Sequence, residues 1–464
     1  MLCCLTGFAL TLPAALLHAQ RAPDLAATEQ AQIDRLVRVE LENTGIPSAS
    51  IAIIAGGRVV YRKAYGSAQI SPHRAASSAM RYGIGSISKE FLAAALLMLE
   101  SEGRIKLDDK VGQYIANLGA AGDATLRQLL SHTAGIRDYY PQDFLFADML
   151  KPITRDQLID RWARQPLDFA PGENWQYSNT GYVLAGAVLE RVTGQPLFEF
   201  LRSRIFVPLG MSSVIDLDSG PLRAEDAVGY TAFGLGPLQP ATKEASGWLF
   251  AAGELAMTAE DLARWDISII DRTLLSAAAY QALEKETLLN NGAGTQYALG
   301  LDVTRRSERR VLAHGGAVSG FTSFNTIYPD SRSAIVVLTN GDTAHAAPDI
   351  TQKVEDLLFV IGTPADAARR DADLQIFADL RRGRINRTLF SDNGNDYYSP
   401  AAVRDTARSL SRMGALKSFE LTRVGTRGGM QWRVYDVHLT GKSFTLVVRA
   451  WPDGKIEQFM LFPK

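Results

Sequence analysis

The 464-residue sequence predicts an α+β fold in two units. The first is an antiparallel sheet flanked by helices plus a helical lobe, and the second is a small α+β domain with a curved antiparallel sheet. Strand-like segments near residue 50 and near residues 300–340 enclose a mostly helical middle, a pattern typical of one sheet completed by both ends of a domain. The length exceeds one ordinary hydrophobic core, and the composition shifts at Gly362-Thr363-Pro364. We therefore expect domains at 20–362 and 363–464.

The spacing of apolar residues predicts the individual elements. Helices are expected where apolar residues recur every three or four positions, and strands where they alternate. In the first unit these are helices Ala26–Asn43, Ser86 to Gly103, Leu126–Leu130, Gln157–Trp162, Gly181–Val192, Glu260–Ile270 and Val354–Val360, and strands Ser48–Ile54, Arg58–Tyr65, Tyr297–Val303, Arg310–Ala313, Thr322–Tyr328 and Ala334–Thr339. In the second unit they are helices Leu374–Arg382 and Ala401–Met413, then strands Phe419–Arg423, Trp432–Leu439, Phe444–Trp451 and Ile456–Phe462.

The first nineteen residues have the pattern of a secretory signal peptide. The stretch from Leu2 to Ala19 contains no Asp, Glu, Lys or Arg, which predicts cleavage after Ala19 and a periplasmic or secreted protein with no membrane span after cleavage. The alternative is a retained N-terminal anchor, which the short segment and Pro13 disfavour. Both cysteines, Cys3 and Cys4, fall in this segment. We expect a mature chain with no disulfide, thiol nucleophile or thiolate metal site.

The balance of acidic and basic residues bears on which classes of partner are expected. The chain has 49 basic and 50 acidic residues, which gives a formal net charge of −1. This balance does not favour nucleic acid or an anionic membrane surface as a partner. The six histidines are scattered, so neither a metal nor a cofactor is expected. The expected partner is a small-molecule or peptide substrate, and the sequence leaves the oligomeric state open.

The first motif of chemical interest is Gly85-Ser86-Ile87-Ser88-Lys89, followed by a long apolar helical run. Residues three apart on a helix share a face, so Ser86 and Lys89 can touch. A serine hydroxyl becomes a nucleophile when a base takes its proton, and burial lowers the pKa of a lysine toward that role. The backbone N–H groups at a helix start favour an oxyanion there. Taken alone, the motif favours a simpler interpretation, an N-cap serine beside a lysine that reaches toward solvent.

Two further motifs supply partners for this serine. Tyr177 and Asn179 form the only Tyr-x-Asn in the chain. A tyrosine next to a cationic lysine can exchange protons with the serine, and an asparagine can bridge lysine and substrate. The other motif is His314-Gly315-Gly316-Ala317, between two predicted strands. Its glycines permit close approach of a substrate, Ala317 can supply an oxyanion N–H, and His314 a hydrogen bond or proton.

Together these motifs, with Leu129-Leu130-Ser131-His132-Thr133-Ala134-Gly135-Ile136 and Pro171 to Tyr182, resemble the penicillin-recognising serine hydrolases of the class C β-lactamase type. The resemblance covers about residues 25–360 and implies a β-lactamase/transpeptidase-like fold. It also implies Ser86 as the acylated nucleophile, Lys89 as its proton partner and Tyr177 as general base. Asn179, His314, Gly315 and Gly316 would bind substrate, the N–H groups of Ser86 and Ala317 would form the oxyanion hole, and residues 130–135 would be structural.

One departure bears on the substrate. β-Lactamases of this type usually carry Lys-Thr-Gly where this chain has His314-Gly315-Gly316, and histidine is mostly neutral near pH 7. The resemblance therefore favours an esterase or peptidase with small substrates over a true β-lactamase. The alternatives are a D-alanyl-D-alanine carboxypeptidase or β-lactamase, and a non-catalytic ligand-binding protein on the same fold. Aromatic residues in the surrounding loops would line an acyl pocket or belong to the core: Tyr139, Tyr140, Phe144, Trp248 and Phe250.

Overall fold

The computed structural model describes residues 25–142, 144–306, 309–358, 364–427 and 429–463, with side chains left out at 364–368 and 422–427. The expected signal peptide at 1–19 and the expected domain boundary at 362–363 lie outside the described residues. Within the described ranges, no helix combines the length and the apolar character that crossing a bilayer requires.

Twelve helices and sixteen strands are formed by the described residues. The helices are α1 Ala27–Thr44, α2 Ser88–Ser101, α3 Leu126–Leu130, α4 Arg155–Leu158, α5 Asn179–Thr193, α6 Leu197–Leu201, α7 Ala259–Asp271, α8 Ala277–Leu283, α9 Ala346–Leu358, α10 Pro364–Arg381, α11 Asp392–Tyr397 and α12 Pro400–Ser411. The strands are β1 Ser48–Ala55, β2 Arg58–Gln69, β3 Arg74–Ala75, β4 Tyr82–Gly83, β5 Ile215–Asp216, β6 Tyr230–Thr231, β7 Gln239–Pro240, β8 Leu255–Met257, β9 Asp302–Arg306, β10 Arg309–Val318, β11 Phe321–Tyr328, β12 Ser333–Thr339, β13 Leu416–Arg427, β14 Met430–Leu439, β15 Ser443–Ala450 and β16 Ile456–Pro463.

The main sheet joins the two ends of the first unit. Its seven strands lie in the order β3-β2-β1-β12-β11-β10-β9. Strand β1 pairs antiparallel with β12, with Ile51 opposite Val337. The predicted sheet, completed from both ends around a helical lobe, is thereby confirmed.

Both faces of the central strands are buried because helices cover each face. Ile51 and Ile53 pack in a core with residues of α1 and α9. Ala52 and Ile54 face the other way, into the large core that contains most of α2, α5 and α7. Burial on both sides explains why β1 and β12 read as continuous apolar runs without alternation. Helix α2, which follows Ser86, is thus held within the largest core of the described residues.

One predicted strand starts later than expected. Tyr297–Val303 was expected as a strand, but β9 begins only at Asp302. Gln296 and Gly300 both adopt positive φ, 57° and 76°, which turns the chain twice before the strand starts. A side chain on Gly300 would place its Cβ 3.0 Å from the Lys89 carbonyl oxygen, so this turn packs directly on α2. The apolar pattern here reflects a buried loop and not a strand.

The C-terminal unit has its own sheet and core. Strands β13-β14-β15-β16 pair antiparallel in sequence order, and residues of α10 and α12 pack on one face. Two helices and four strands were predicted here, and α11 is an additional short helix. The described side chains of this core form a cluster separate from those of the main sheet.

Candidate active site

Ser86 lies on a tight turn immediately before α2. The turn is a 3-10 helix, Gly85–Ile87, and α2 begins at Ser88, so Ser86 precedes the helix that the sequence predicted it to begin. Gly85 has a φ of 53°, and a Cβ there would lie 2.6 Å from the backbone nitrogen of Ala317. Glycine is required at this position because any side chain would strain the turn and push β10 away. The contact places the Ala317 N–H beside the nucleophile turn.

Lys89 is completely buried and has three partners, all of them neutral. Its Nζ lies 3.0 Å from Ser86 Oγ, 2.8 Å from Asn179 Oδ1 and 2.6 Å from the Ala252 carbonyl oxygen. The predicted contact between Ser86 and Lys89 is therefore present. Burial lowers the pKa of Lys89 to about 7, although the charges of Asp138 and Glu254 oppose the shift. Near neutral pH, comparable fractions of the amine are charged and neutral.

Asn179 is held in one orientation by Asp138. The backbone N–H of Asn179 donates to Asp138 Oδ1 at 2.9 Å, and its side-chain Nδ2 donates to Asp138 Oδ2 at 3.2 Å. Because the carboxylate accepts from Nδ2, the amide oxygen must turn toward Lys89. Asp138 was not among the predicted site residues. It lies two residues after the Ser131–Ile136 motif, and that position is the signal by which it could have been found.

The ring of Tyr177 packs against the Lys89 amine. Lys89 Nζ is 5.0 Å from the centre of the Tyr177 ring. The Tyr177 hydroxyl oxygen is buried, and it forms no hydrogen bond of ordinary geometry with the described residues. Burial raises the pKa of Tyr177 far above the usual range, while the nearby Ser86 hydroxyl acts in the opposite direction. At neutral pH the phenol therefore keeps its proton.

The Ser131–Ile136 motif packs against the segment that carries Tyr177 and Asn179. His132 adopts positive φ, 59°, and its Nδ1 accepts a hydrogen bond of 3.1 Å from the backbone N–H of Ser178. Its ring stacks on Tyr177 with centroids 4.1 Å apart. A side chain at Gly135 would collide with the Phe169 carbonyl oxygen. The motif thus contacts the segment that carries Tyr177 and Asn179.

His314 is part of β10 and does not lie in a loop between strands. Its ring is buried, with Nε2 2.8 Å from the Tyr297 hydroxyl and Nδ1 2.6 Å from the Gly315 carbonyl oxygen. The carbonyl can only accept, so Nδ1 carries the proton and Nε2 accepts from Tyr297. Burial, with a further contribution from Lys89, lowers the pKa of His314 to about 4. This histidine is neutral at pH 7 and both ring nitrogens are occupied.

The Gly315-Gly316 pair brings β10 against the nucleophile turn. Strand β9 pairs with β10 only as far as Ala313, so the stretch from His314 to Val318 extends beyond that neighbour. A side chain at Gly316 would collide with the carbonyl oxygen of Ile84, just before the nucleophile turn. The same carbonyl accepts a hydrogen bond of 2.8 Å from Ser323. The close approach brings the backbone of Ala317 beside the turn that carries Ser86.

The aromatic residues of the surrounding loops divide between core and surface. Tyr139 and Trp248 are buried, and the Tyr139 hydroxyl donates to the Trp248 carbonyl oxygen, so both belong to the core. Phe144 is 67% exposed, while Tyr140 and Phe250 are half-buried. Only the last two retain the partial exposure expected of pocket walls.

The described residues offer no metal site. No group of three or more His, Cys, Asp or Glu side chains within them has an arrangement that could hold an ion. The chemistry available at the site is that of a buried lysine, a neutral tyrosine and two backbone N–H groups around one serine.

Comparison with protein families and curated proteins finds one matching family and several similar proteins. The beta-lactamase family model matches residues 33–358. The chain is 28% identical over 342 residues to penicillin-binding protein 4* of Bacillus subtilis, covering 70% of this chain and 75% of that protein. It is 29% identical over 334 residues to Protein flp of Staphylococcus aureus, covering 68% of this chain and 64% of that protein, slightly less than two thirds.

Solved structures agree with this placement. A D-stereospecific amidohydrolase from a Streptomyces species superposes with a TM-score of 0.62 at 27% identity, covering 73% of this chain and 100% of that chain. An octameric penicillin-binding protein homologue from Pyrococcus abyssi superposes with a TM-score of 0.62 at 22% identity, covering 94% of this chain and 93% of that chain. The second likeness concerns the fold alone and extends beyond the region matched by the family model.

Proposed function

The chain belongs to the beta-lactamase family of serine hydrolases, and from this we propose that it cleaves ester or amide bonds of small substrates through an acyl-enzyme on Ser86. The proposed catalytic residues are Ser86, Lys89 and Tyr177. Asn179 and the His314-Gly315-Gly316 segment form the substrate side, and the N–H groups of Ser86 and Ala317 form the oxyanion hole.

The observation that carries the proposal is the set of partners around Lys89. A neutral amine has two N–H groups and one lone pair. Asn179 Oδ1 and the Ala252 carbonyl oxygen accept the two hydrogens, which leaves the lone pair for the hydroxyl proton of Ser86, 3.0 Å away. After proton transfer, the ammonium still has three acceptors for its three hydrogens. The surroundings therefore accommodate both protonation states, as a general base requires.

Acylation follows from this geometry. The Ser86 Oγ proton moves to Lys89 Nζ as Oγ bonds to the substrate carbonyl carbon, and the carbonyl oxygen becomes an oxyanion held by the N–H groups of Ser86 and Ala317. The bond to the leaving alcohol or amine then breaks, and the leaving group takes a proton. Water repeats the sequence on the acyl-enzyme, releases the acid and restores the Ser86 hydroxyl.

Tyr177 is best suited to deliver the proton to the leaving group. Its raised pKa keeps the phenol protonated, so the base proposed here is Lys89 and not the tyrosine that the family resemblance implied. Its buried hydroxyl has no hydrogen-bond partner among the described residues and can take the departing oxygen or nitrogen as one. The phenolate formed in this way then takes the proton held by the Lys89 ammonium, so both groups return to their starting states before water attacks the acyl-enzyme.

The state of His314 favours esters and amides over β-lactams. A β-lactam presents a carboxylate, which a lysine in the third motif would bind. His314 is neutral and already bonded to Tyr297 and the Gly315 carbonyl oxygen, so it offers no positive charge. Penicillin-binding proteins are nevertheless among the relatives. A carboxypeptidase or β-lactamase activity is therefore the second outcome that the experiment must separate.

The test is hydrolysis of a short-chain nitrophenyl ester and of a chromogenic cephalosporin by the wild type, Ser86→Ala and Ser101→Ala. Ser101 is exposed at the far end of α2 and serves as the matched control. We expect ester turnover that Ser86→Ala abolishes and Ser101→Ala retains, with little cephalosporin turnover. A Ser86→Ala enzyme with the wild-type rate would refute the nucleophile. Absence of turnover and of covalent labelling by either substrate would favour a non-catalytic binding protein.

We also propose that the protein acts in the periplasm or outside the cell. The support is the uncharged segment that ends at Ala19. Mass spectrometry of the protein purified from cell fractions tests it. A mature N-terminus at Gln20 in the exported fraction is expected, and an intact N-terminus on a cytosolic protein would contradict it.

A further inference from the structure

A cavity of about 590 Å³ lies between α8 and the end of the main sheet formed by β9 and β10. Its lining consists of Arg272, Ala277, Gln281, Glu284, Lys285 and Arg310. Arg310 precedes His314 by four residues on β10, so the cavity begins roughly 13 Å along the strand from the candidate active site. The proposed catalytic residues do not line it, and the cavity is therefore a separate feature of the surface.

Glu284 fixes the two arginines of this lining. Its side chain is only 3% exposed, and its Oε2 accepts from Arg272 Nη2 at 3.1 Å and from Arg310 Nη1 at 2.8 Å. The Arg272 guanidinium also packs over the ring of Tyr280, 5.6 Å from its centre. Each guanidinium commits one nitrogen to Glu284 and carries further N–H donors on the others. Those donors are available to a ligand from side chains that are already held in place.

Positive charge exceeds negative charge in the lining. Lys285 is exposed, and it forms no ion pair with a residue that the structure describes. Three cations, Arg272, Lys285 and Arg310, thus accompany the single carboxylate of Glu284, which gives the lining a formal charge of +2. The carboxylate explains why two of the cations can lie close together. It does not balance the third.

Strand β9 adds a fourth cation beside the cavity. Arg305 lies directly opposite Arg310 in the antiparallel pair of β9 and β10. Side chains that are directly opposite project from the same face of a sheet, and like charges in this position repel each other. Arg305 is exposed and makes no ion pair within the described ranges. An anion bound between the arginines would relieve this repulsion, whereas a purely structural ion-pair cluster would gain nothing from it.

We propose that this cavity binds a phosphate monoester, borne by a small soluble molecule or by a lipid headgroup. Guanidinium groups match phosphate oxygens with paired N–H donors, and an ammonium adds a charge on a flexible stem. A phosphate monoester carries a charge close to −2 near pH 7, which matches the +2 of the lining. A carboxylate would be satisfied by one guanidinium and would leave the other cations unbalanced. The proposal is independent of the hydrolase activity.

The test measures binding of two probes to the full-length protein. Calorimetric titration with glycerol 3-phosphate, with glycerol as the control, tests the soluble source. Sedimentation with phosphatidylcholine vesicles, with and without phosphatidic acid, tests the lipid source. We expect the wild type to bind at least one of the phosphate probes and neither control, and the probe that binds identifies the source.

Three variants locate the binding. Arg272→Gln and Lys285→Gln should each weaken it by about tenfold, as expected for loss of a charge-assisted hydrogen bond. The matched control is Arg264→Gln, because Arg264 is on α7, is 44% exposed like Arg272, and does not line the cavity. This control should bind as tightly as the wild type. Circular dichroism checks that each variant is folded.

Lys285→Gln is the decisive variant because it leaves both ion pairs of Glu284 in place. If glycerol 3-phosphate is the probe that binds, it should raise the Tm of the wild type and of Arg264→Gln more than that of Lys285→Gln. The proposal is overturned if neither phosphate probe binds the wild type. It is also overturned if folded Arg272→Gln and Lys285→Gln both bind as tightly as the wild type, because the anion would then occupy another site.

Discussion

Two buried cations in this protein have opposite surroundings. In the first unit, Lys89 donates only to neutral oxygens, and burial lowers the pKa of Lys89 to about 7. In the C-terminal unit, Arg433 donates to Asp373 through Nε at 2.7 Å and through Nη2 at 3.2 Å. Burial acts to lower the pKa of Arg433, but the hydrogen bond and the charge of Asp373 outweigh it and raise the pKa. The Tyr435 hydroxyl donates to the same carboxylate.

The difference distinguishes a buried cation suited to proton transfer from one that forms a structural ion pair. A buried cation with a carboxylate partner stays charged, and its cost of desolvation is offset by the pair. A buried cation with neutral partners is close to losing its proton, which is what a base requires. The Arg433–Asp373–Tyr435 network accordingly fixes α10 to β14, while the network around Lys89 leaves a proton able to move.

The largest effect is expected from replacing Lys89 by arginine. Arginine keeps the positive charge, but a guanidinium cannot lose its proton near pH 7. Lys89→Arg should lower kcat/KM for the nitrophenyl ester by about a thousandfold or more, within the range for loss of a general base. The converse change, Arg433→Lys, should leave kcat unaffected. Steady-state kinetics measure kcat/KM for both variants, and circular dichroism checks that each variant is folded. A Lys89→Arg enzyme with wild-type activity would rule out Lys89 as the base.

The second effect concerns stability and not activity. Asp373→Asn leaves Arg433 buried without its counter-charge, so the free energy of unfolding should fall by about 3 kcal/mol. Denaturant unfolding followed by circular dichroism measures the change. The matched control is Asp405→Asn, which removes an exposed pair with Arg408 and should have little effect. Equal stability of Asp373→Asn and wild type would mean that this pair does not hold the C-terminal unit together.

The third prediction concerns Asp138, which acts on Lys89 through Asn179. In Asp138→Asn, the Asn179 amide loses the acceptor that orients it, and kcat should fall by about 10- to 100-fold. The charge of Asp138 also raises the pKa of Lys89, so its removal should move the rising limb of the pH–rate profile to lower pH. The shift distinguishes positioning from a general loss of structure. If Asp138→Asn kept both the wild-type kcat and the wild-type position of the rising limb, Asp138 would have no role in the site. The control is Asp123→Asn, which changes an exposed carboxylate.

How far the sequence predicts this site depends on the distance between partners along the chain. Ser86 and Lys89 are three residues apart, so helical geometry alone predicts their contact, and the contact is present. Asp138 and Asn179 are 41 residues apart, and no local pattern predicts that they meet. Ser323 donates to the Ile84 carbonyl oxygen just before the Ser86 turn, and these two residues are 239 positions apart.

Prediction of the fold is limited in the same way, because contacts between distant residues are not visible in local sequence patterns. Helices and strands with strong apolar periodicity were predicted near their observed bounds, such as α1 and β1. The short strands β4, β5 and β8 were not, because two or three residues carry too little pattern. The strand expected at Tyr297–Val303 was wrong over its first five residues, because the chain turns at Gln296 and Gly300 and the turn at Gly300 packs on α2. Tertiary contacts, and not local propensity, decide such segments.

The last prediction extends the same comparison to a buried acid, Glu90, next to Lys89 in sequence. Glu90 accepts from Trp265 Nε1 at 2.7 Å, and Asp266, Asp302 and Asn325 also face it. Burial raises the pKa of Glu90 to about 8, so the folded protein holds this proton while the unfolded chain releases it above about pH 4.5. Stability contributed by Glu90 is complete below pH 4.5 and is lost as the pH rises toward 8.

Glu90→Gln should remove that loss, because glutamine accepts from Trp265 without titrating. The stability of the variant relative to wild type should therefore rise by roughly 1 kcal/mol for each pH unit between 5 and 8 and then level off. Urea unfolding at several pH values measures it, with Glu225→Gln as the exposed control. Parallel stability profiles for Glu90→Gln and wild type would show that Glu90 is ionised in the fold. In that case burial would not be enough to keep Glu90 uncharged, and the low pKa inferred for Lys89 would need a cause other than burial.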